Sequence, residues 1–183
     1  MSIFDINGRS APFRATNYNP EAVFVWDDPS GIVGTIKYKV LRLRELRFSL
    51  YDHNSSGVDS ASSRRWERMY VQPEIELGRM ITTRVKIWWE TPYKDGLSSK
   101  NENIEDYLGK GMLTLNVEPH QRFNTEVNLT RGSEFGTNYG IDVSWRPFEL
   151  DFFLYLQYYD GYGEELIDYN IETKSLRGGL RFN

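Results

Sequence analysis

Side-chain polarity alternates with a period of two along most of this 183-residue chain, and turn-forming residues separate the alternating segments. Such a pattern is typical of β-strands with two unlike faces, and no segment of useful length shows a helical period. We therefore predict an all-β, antiparallel fold. The nine predicted strands cover residues 18–26, 35–52, 64–77, 80–90, 105–117, 122–130, 138–145, 151–159 and 168–182.

The predicted connections alternate between short and long. The short ones lie at 27–34, 78–79, 118–121 and 146–150, and the longer, more polar ones lie at 54–63, 91–104, 131–137 and 160–167. A transmembrane β-barrel with short periplasmic turns and long extracellular loops produces this alternation. A soluble sandwich gives less regular spacing.

The two faces of the predicted strands differ in character. In the segment 112–117 one face carries Leu113, Leu115 and Val117, and the other carries Met112, Thr114 and Asn116. In 84–89 the same division places the charged residues on one face only. Charged groups facing lipid are costly, whereas a polar barrel interior accommodates them. A half-buried soluble sheet remains open as the alternative.

Composition excludes several classes of protein. A formal net charge of −4 is not that of a strongly basic nucleic-acid-binding protein, so we expect no nucleic-acid partner. The absence of cysteine excludes disulfides and thiolate metal sites. No run of 18 apolar residues predicts a transmembrane helix, and residues 1–5 do not resemble a signal peptide.

Strand parity predicts that barrel strands precede this chain. The last predicted strand follows a long connection, so the chain ends on the short-turn side of the barrel. Counting back nine strands from there places the amino terminus on the long-loop side. A closed single-chain bacterial barrel has an even number of strands. We therefore expect residues 1–183 to be a single, amino-terminally truncated barrel domain.

A histidine and a serine end the second predicted strand. His53 and Ser55 are two positions apart, so both side chains of an extended chain project from one face. Histidine is the usual base that activates a serine hydroxyl, and it needs an acceptor on its other nitrogen. Glu67, near the start of the next strand, could be that acceptor. On spacing alone, a hydrated loop mouth is the simpler interpretation.

Three segments, in order along the chain, resemble the bacterial outer-membrane phospholipase A family. The first is 53–57 followed by 62–70, which resembles the family pattern His-x-Ser-x-Gly and then Ser-Arg-x-Trp-Asn-Arg. Residues 10–20 resemble the stretch before the family's fourth strand, and 159–170 resemble its last extracellular loop. The family has a twelve-stranded barrel, so the resemblance implies that about three strands precede the nine predicted here.

The resemblance also implies roles for individual residues. Ser55 would be the nucleophile, His53 the base, and the backbone N–H of Gly57 an oxyanion donor. These three roles are those of a serine esterase.

Glu67 stands where the family usually has asparagine. A carboxylate can still accept the imidazole N–H, but it costs more to desolvate. An ion pair with Arg64 or Arg68 is the simpler role for Glu67.

The family also implies a calcium ion shared between two subunits, and hence a homodimer. The implied ligands are the hydroxyl of Ser63, the carbonyl of Val58, and the carbonyl of Ser10 of the partner subunit. Water would complete the six to eight oxygens that Ca²⁺ prefers. The family usually has arginine in place of Val58, a change that a carbonyl ligand tolerates.

Strict alternation conflicts with the family's site geometry. Leu46, Phe48 and Leu50 form an apolar, lipid-facing row, which would place His53 and Ser55 on the opposite face. The family has its site on the lipid-facing side. A β-bulge within 50–52 would reconcile the two, and bulges are frequent next to active sites.

The sequence therefore predicts a calcium-dependent phospholipase of the bacterial outer membrane. It would hydrolyse acyl esters of glycerophospholipids, with phospholipase A1, A2 and lysophospholipase activity, as a homodimer. The alternative is a non-catalytic truncated barrel or a decayed homologue, which Glu67 and the missing strands favour. A porin-like channel is a third interpretation.

Overall fold

The computed structural model describes residues 16–36, 39–57, 64–91, 101, 103–147 and 151–182. Ten strands, one short helix and one 3₁₀ turn make up this part of the chain. The strands are β1 (Thr16–Tyr18), β2 (Glu21–Ile36), β3 (Lys39–Gly57), β4 (Arg64–Leu77), β5 (Ile81–Glu90), β6 (Gly111–His120), β7 (Phe123–Arg131), β8 (Thr137–Trp145), β9 (Phe152–Tyr162) and β10 (Glu172–Phe182). The helix α1 is Ile104–Leu108 and the 3₁₀ turn is Leu166–Asp168.

The strands form one antiparallel sheet in which each strand from β3 to β10 pairs with the next. Strands β1 and β2 pair with different parts of β3, so together they form one row of the sheet. The sheet is therefore nine rows wide, as the nine predicted strands require. Among the described residues, no ladder joins β10 to β1 or β2.

Several predicted boundaries were wrong. The predicted strand 35–52 is β3 (Lys39–Gly57), so residues 54–57 belong to the strand and not to the following loop. Residues 27–34 are not a turn, because β2 continues through them with register shifts between Asp27 and Gly31 and between Ile32 and Gly34. The connection from β2 to β3 falls at 37–38, outside the described residues. The predicted strand 105–117 begins instead with α1, and the predicted strand 168–182 begins only at Glu172.

The two faces of the sheet differ as the sequence predicts. Leu113 is 40% exposed, whereas the neighbouring Thr114 is 3% exposed and donates to Asn128 Oδ1 at 2.7 Å. We call the face that carries the exposed apolar side chains the outer face. It includes Phe24, Trp26, Phe48, Leu50, Ile87, Trp89, Leu113, Leu115, Leu129, Trp145, Leu154, Leu156, Leu176 and Leu180.

The opposite, inner face is polar and internally paired. Arg84 contacts Glu126 at 2.6 Å across two strands, and Gln157 donates to Asp142 at 3.0 Å. Such pairs satisfy the charges and amides that alternation places there. An apolar exterior around a polar interior is the arrangement of a membrane-spanning β-barrel.

A small aromatic core lies on the inner face at the long-loop end. It consists of Trp66, Tyr70, Trp88, Ile104 and Tyr169. Helix α1 supplies Ile104, because a single apolar turn over the sheet buries more surface than an extended strand would at this position. Among the described residues, no helix is both long and apolar enough to cross a membrane.

Candidate active site

The ladder between β3 and β4 brings the predicted site residues together. His53 is paired with Glu67, and Ser55 is paired with Arg65. Directly opposite residues of an antiparallel pair project from the same face with Cβ atoms about 5 Å apart. His53, Ser55 and Glu67 therefore share one face of the sheet.

A β-bulge in β3 decides which face that is. Ser49 pairs with Tyr70 and Asp52 pairs with Arg68, so β3 has one residue more than β4 over this interval. The ladder to β2 shows the same extra residue, because Ala22 pairs with Tyr51 and Val23 with Ser49. The bulge predicted within 50–52 is thus present, at Leu50 and Tyr51.

The bulge turns the site toward the outer face. Leu50 is 76% exposed and Tyr51 is also exposed, so two consecutive residues project outward. The next residue, Asp52, is buried on the inner face, and His53 then returns to the outer side. His53 and Ser55 consequently lie on the same face as Phe48 and Leu50.

Glu67 is a buried carboxylate with several donors on one oxygen. Its Oε1 accepts from His53 Nδ1 at 3.0 Å and from the Tyr51 hydroxyl at 3.3 Å. Arg65 donates to the same atom through Nε at 2.9 Å and Nη2 at 2.5 Å. The predicted contact between His53 and Glu67 is therefore present.

An ion pair, the alternative role considered for Glu67, is present with a different arginine. The sequence suggested Arg64 or Arg68 for it, whereas the guanidinium on Glu67 is that of Arg65. Residues an even number of positions apart share a face of a strand, so Arg65 lies on the side of Glu67 and Arg68 on the opposite side. Arg68 instead forms its ion pair with Asp52, on the inner face.

Aromatic rings enclose the imidazole of His53. The Tyr51 ring stacks on it with 5.9 Å between centroids, and the Tyr18 ring approaches edge-on at 6.2 Å. The backbone N–H of His53 donates to the carbonyl of Pro20 at 3.1 Å. These contacts fix the ring so that Nδ1 faces Glu67 and Nε2 remains for another partner.

The Ser55 hydroxyl is hydrogen-bonded to a backbone carbonyl and not to His53. It donates to the carbonyl of Tyr18 at 3.3 Å, and no hydrogen bond joins it to His53, both residues being in the described part of the chain. A change of χ1 rotamer redirects a serine hydroxyl without moving the backbone. Catalytic hydrogen bonds are often long or absent until substrate binds, so this geometry is compatible with a nucleophile.

The inner side of the same strands carries a second charged cluster. Asp52 accepts from Arg68 Nη2 at 2.6 Å and Lys86 Nζ at 3.2 Å, and the Arg68 guanidinium lies 3.9 Å from the centre of the Trp66 ring. Asp52 adjoins His53 in sequence, so this cluster anchors the inner side of the strand that holds the site.

The remaining predicted site residues fall at the edge of the described chain. Gly57 has a φ of 144°, a backbone conformation that favours glycine. The predicted calcium ligands Ser10, Val58 and Ser63 lie outside the described residues. Within the described residues, no cluster of three or more His, Cys, Asp or Glu side chains could hold a metal ion.

Sequence reasoning did not identify Arg65 or Tyr51 as part of the site. A usable signal was present for Arg65, which occupies the unspecified position of the Ser-Arg-x-Trp-Asn-Arg pattern two residues before Glu67. For Tyr51 the bulge is the missing information, because strict alternation with Leu50 places its ring on the inner face.

Comparison with known proteins shows the family to which this chain belongs. The Phospholipase A1 family matches residues 3–182. Phospholipase A1 of Escherichia coli K12 is 31% identical over 183 residues, and that of Proteus vulgaris is 31% identical over 185 residues. The alignments cover 95% and 96% of this chain, which spans 56% of the length of each relative.

Two solved structures have the same fold. Outer membrane phospholipase A from Escherichia coli superimposes with a TM-score of 0.79 at 26% identity, over 95% of this chain and 63% of that one. The calcium-bound dimer of the Salmonella typhi outer membrane phospholipase gives the same TM-score and coverage at 27% identity. The chain therefore belongs to the phospholipase A1 family and has the β-barrel fold of outer-membrane phospholipase A.

Proposed function

We propose that the intact protein is a calcium-dependent phospholipase that hydrolyses the acyl esters of membrane glycerophospholipids. The observation that carries the proposal is the pairing of His53 Nδ1 with Glu67 Oε1, with Ser55 on the same outward face. That face also carries the exposed Phe48 and Leu50. A nucleophile placed beside an apolar exterior can meet the ester bonds of a lipid without removing it from the bilayer.

The proposed reaction proceeds through an acyl-enzyme. Ser55 Oγ attacks the ester carbonyl carbon while His53 Nε2 accepts the hydroxyl proton. Glu67 accepts the Nδ1–H, which holds the tautomer and stabilises the imidazolium. The N–H of Gly57 would donate to the developing oxyanion. His53 returns its proton to the departing alkoxide, and water, deprotonated by His53, then releases the fatty acid.

Glu67 can replace the family's usual asparagine in this scheme. Either side chain accepts the Nδ1–H, and a carboxylate adds attraction for the imidazolium. Its cost is the removal of a charge from water, since the Glu67 side chain is only 5% exposed. The donors from Arg65 and Tyr51 offset that cost, so the substitution supports activity rather than decay.

The calcium site is proposed from the family and from the chemistry of its donors. Ser63, Val58 and Ser10 of the partner subunit would supply a hydroxyl and two carbonyls, hard oxygens of the kind that Ca²⁺ prefers. Gly57 and Arg64, the described residues that flank this loop, end adjacent strands at the same end of the ladder. When bound, calcium would help to polarise the ester carbonyl. The shared ligand set would make the active form a homodimer.

The direct test compares Ser55→Ala with Ser56→Ala in the intact protein, dispersed in mixed micelles of phospholipid and detergent. Ser56 is the matched control because it is adjacent but buried on the inner face. We expect Ser55→Ala to reduce calcium-dependent fatty-acid release by about a thousandfold or more, as loss of a catalytic nucleophile does. Ser56→Ala should stay close to the unaltered protein.

Two outcomes of this comparison would refute the proposal. Calcium-dependent hydrolysis that persists in Ser55→Ala would remove the nucleophile assignment. A correctly folded, unaltered protein with no hydrolysis in the presence of calcium would favour the non-catalytic barrel instead.

A further inference from the structure

We propose that Arg65 is a positioning residue that neutralises and orients Glu67. With Arg65 in place, the Glu67 carboxylate can hold the His53 ring in the way that the family's asparagine would. This inference rests on the proposed function, because it concerns the same base. Arg65 is paired with Ser55 across the ladder, and its guanidinium reaches Glu67 two positions along the same strand.

Two donors of Arg65 reach the same oxygen of Glu67. Both Nε and Nη2 donate to Oε1, the same atom that accepts from His53 Nδ1. A guanidinium holds its donors in a rigid plane, so two bonds from it restrict the carboxylate more than one flexible donor does. Oε1 is thereby held where the imidazole requires its acceptor.

Burial makes a counter-charge necessary at this position. The Glu67 side chain is 5% exposed and that of Arg65 is 24% exposed, so the pair is largely removed from water. An unpaired buried carboxylate would take a proton or turn toward solvent. A protonated carboxyl would add no attraction for the imidazolium of His53, and one turned toward solvent would no longer accept the Nδ1–H.

The other groups around His53 do not supply that charge. Tyr51 and Tyr18 are neutral rings, and Tyr51 offers Glu67 one hydroxyl at 3.3 Å. Asp52 has its charge partners on the inner face. Arg64 immediately precedes Arg65 on β4, so alternation places its side chain on the inner side with Arg68.

The test is a double-mutant cycle in the intact protein, built from Arg65→Gln, Glu67→Asn and their combination. With Glu67 present, Arg65→Gln should lower kcat by about tenfold at unchanged KM, because the acceptor is no longer held. In the Glu67→Asn background no buried carboxylate needs a counter-charge, so adding Arg65→Gln should change kcat by less than about twofold. Arg65→Lys, which keeps the charge, should recover part of the loss.

The matched control is Arg44→Gln. Arg44 pairs with Glu74 between β3 and β4, but the pair is loose at 3.9 Å and the Arg44 side chain is 55% exposed. We expect no change in kcat for this variant. Equal losses from Arg65→Gln in both backgrounds, or an effect on KM alone, would overturn the proposal and assign Arg65 to substrate binding.

A measurement that does not need turnover separates this proposal from the proposed function. In ¹⁵N-histidine-labelled protein in detergent micelles, the His53 signals are those that a His53→Ala variant lacks. The Nδ1–H signal of His53 should be protected from exchange in the unaltered protein and lost in Arg65→Gln. An unchanged signal in Arg65→Gln would refute the positioning role even if the protein hydrolyses nothing.

Discussion

Two neighbouring side chains, Asp52 and His53, connect to charged groups on opposite faces of the sheet. Asp52 is held by Arg68 and Lys86 on the inner side, whereas His53 is held by Glu67 on the outer side. The carboxylates of Asp52 and Glu67 are both buried, and a buried carboxylate requires a cation or a hydrogen-bond donor in contact with it. The backbone of this segment is therefore fixed from both sides.

Removing Arg68 should destabilise the protein much more than removing an exposed arginine of the same ladder. Arg68→Met leaves Asp52 buried with a single cation and loses the contact with Trp66. Breaking a buried ion pair in this way costs about 3 kcal/mol. Arg44→Gln, at the exposed pair with Glu74, should cost less than about 1 kcal/mol.

Urea-induced unfolding of both variants in lipid vesicles checks this difference. Equal free energies of unfolding for Arg68→Met and Arg44→Gln would show that the inner cluster is not the anchor that its burial indicates.

The bulge in β3 is the element on which the position of the site depends. Without an extra residue, the row formed by Phe48 and Leu50 would continue through Asp52, and His53 would project inward. With it, Leu50 and Tyr51 project to the same side, and the Tyr51 ring comes to lie against the imidazole. The bulge thus places an acidic residue inside and the histidine outside.

A cysteine scan along 46–53 tests this pattern, and the natural absence of cysteine makes the scan simple. Spin labels at 46, 48, 50, 51 and 53 should be accessible to oxygen dissolved in the bilayer, and labels at 47, 49 and 52 should not. Accessibility that alternates strictly through 46, 48, 50 and 52 would contradict the bulge.

An element is predicted well from the sequence when neighbouring residues determine it, and poorly when contacts with distant strands determine it. Strands β4 and β5 were predicted almost to the residue, because period-two alternation and a Gly-containing turn define them locally. Helix α1 was missed because its apolar residues, Ile104 and Leu108, serve a core made by distant strands. The bulge was inferred only because the family resemblance conflicted with strict alternation.

The same distinction applies to the site. Ser55, His53 and Glu67 could be proposed from spacing and resemblance, since cross-strand pairing follows from two adjacent strands. Arg65 also had a local signal, because it lies two positions before Glu67 on one face of β4. Tyr51 could not be proposed, because its position depends on the bulge.

Tyr169 shows the same limit in the last long connection. It is buried in the inner core and donates to Asn103 Oδ1 at 2.8 Å. Its position depends on helix α1, which the local pattern did not reveal.

In the molecule as a whole, an apolar outer face, a polar inner face and a site at the long-loop end form one arrangement. The outer face is that of an outer-membrane β-barrel, and the candidate nucleophile lies on it rather than in the interior. Such a placement brings the reactive groups to lipid from the membrane side. Under the proposed function, access to the lipid substrate and stability in the bilayer depend on the same surface.

Covalent labelling by an alkyl-chain fluorophosphonate tests the central claim most directly. This reagent phosphonylates a serine only when an adjacent base activates it. Mass spectrometry of the labelled intact protein should find one adduct, on Ser55, and none in His53→Ala. A label on another serine, or equal labelling of Ser55 with and without His53, would contradict the account.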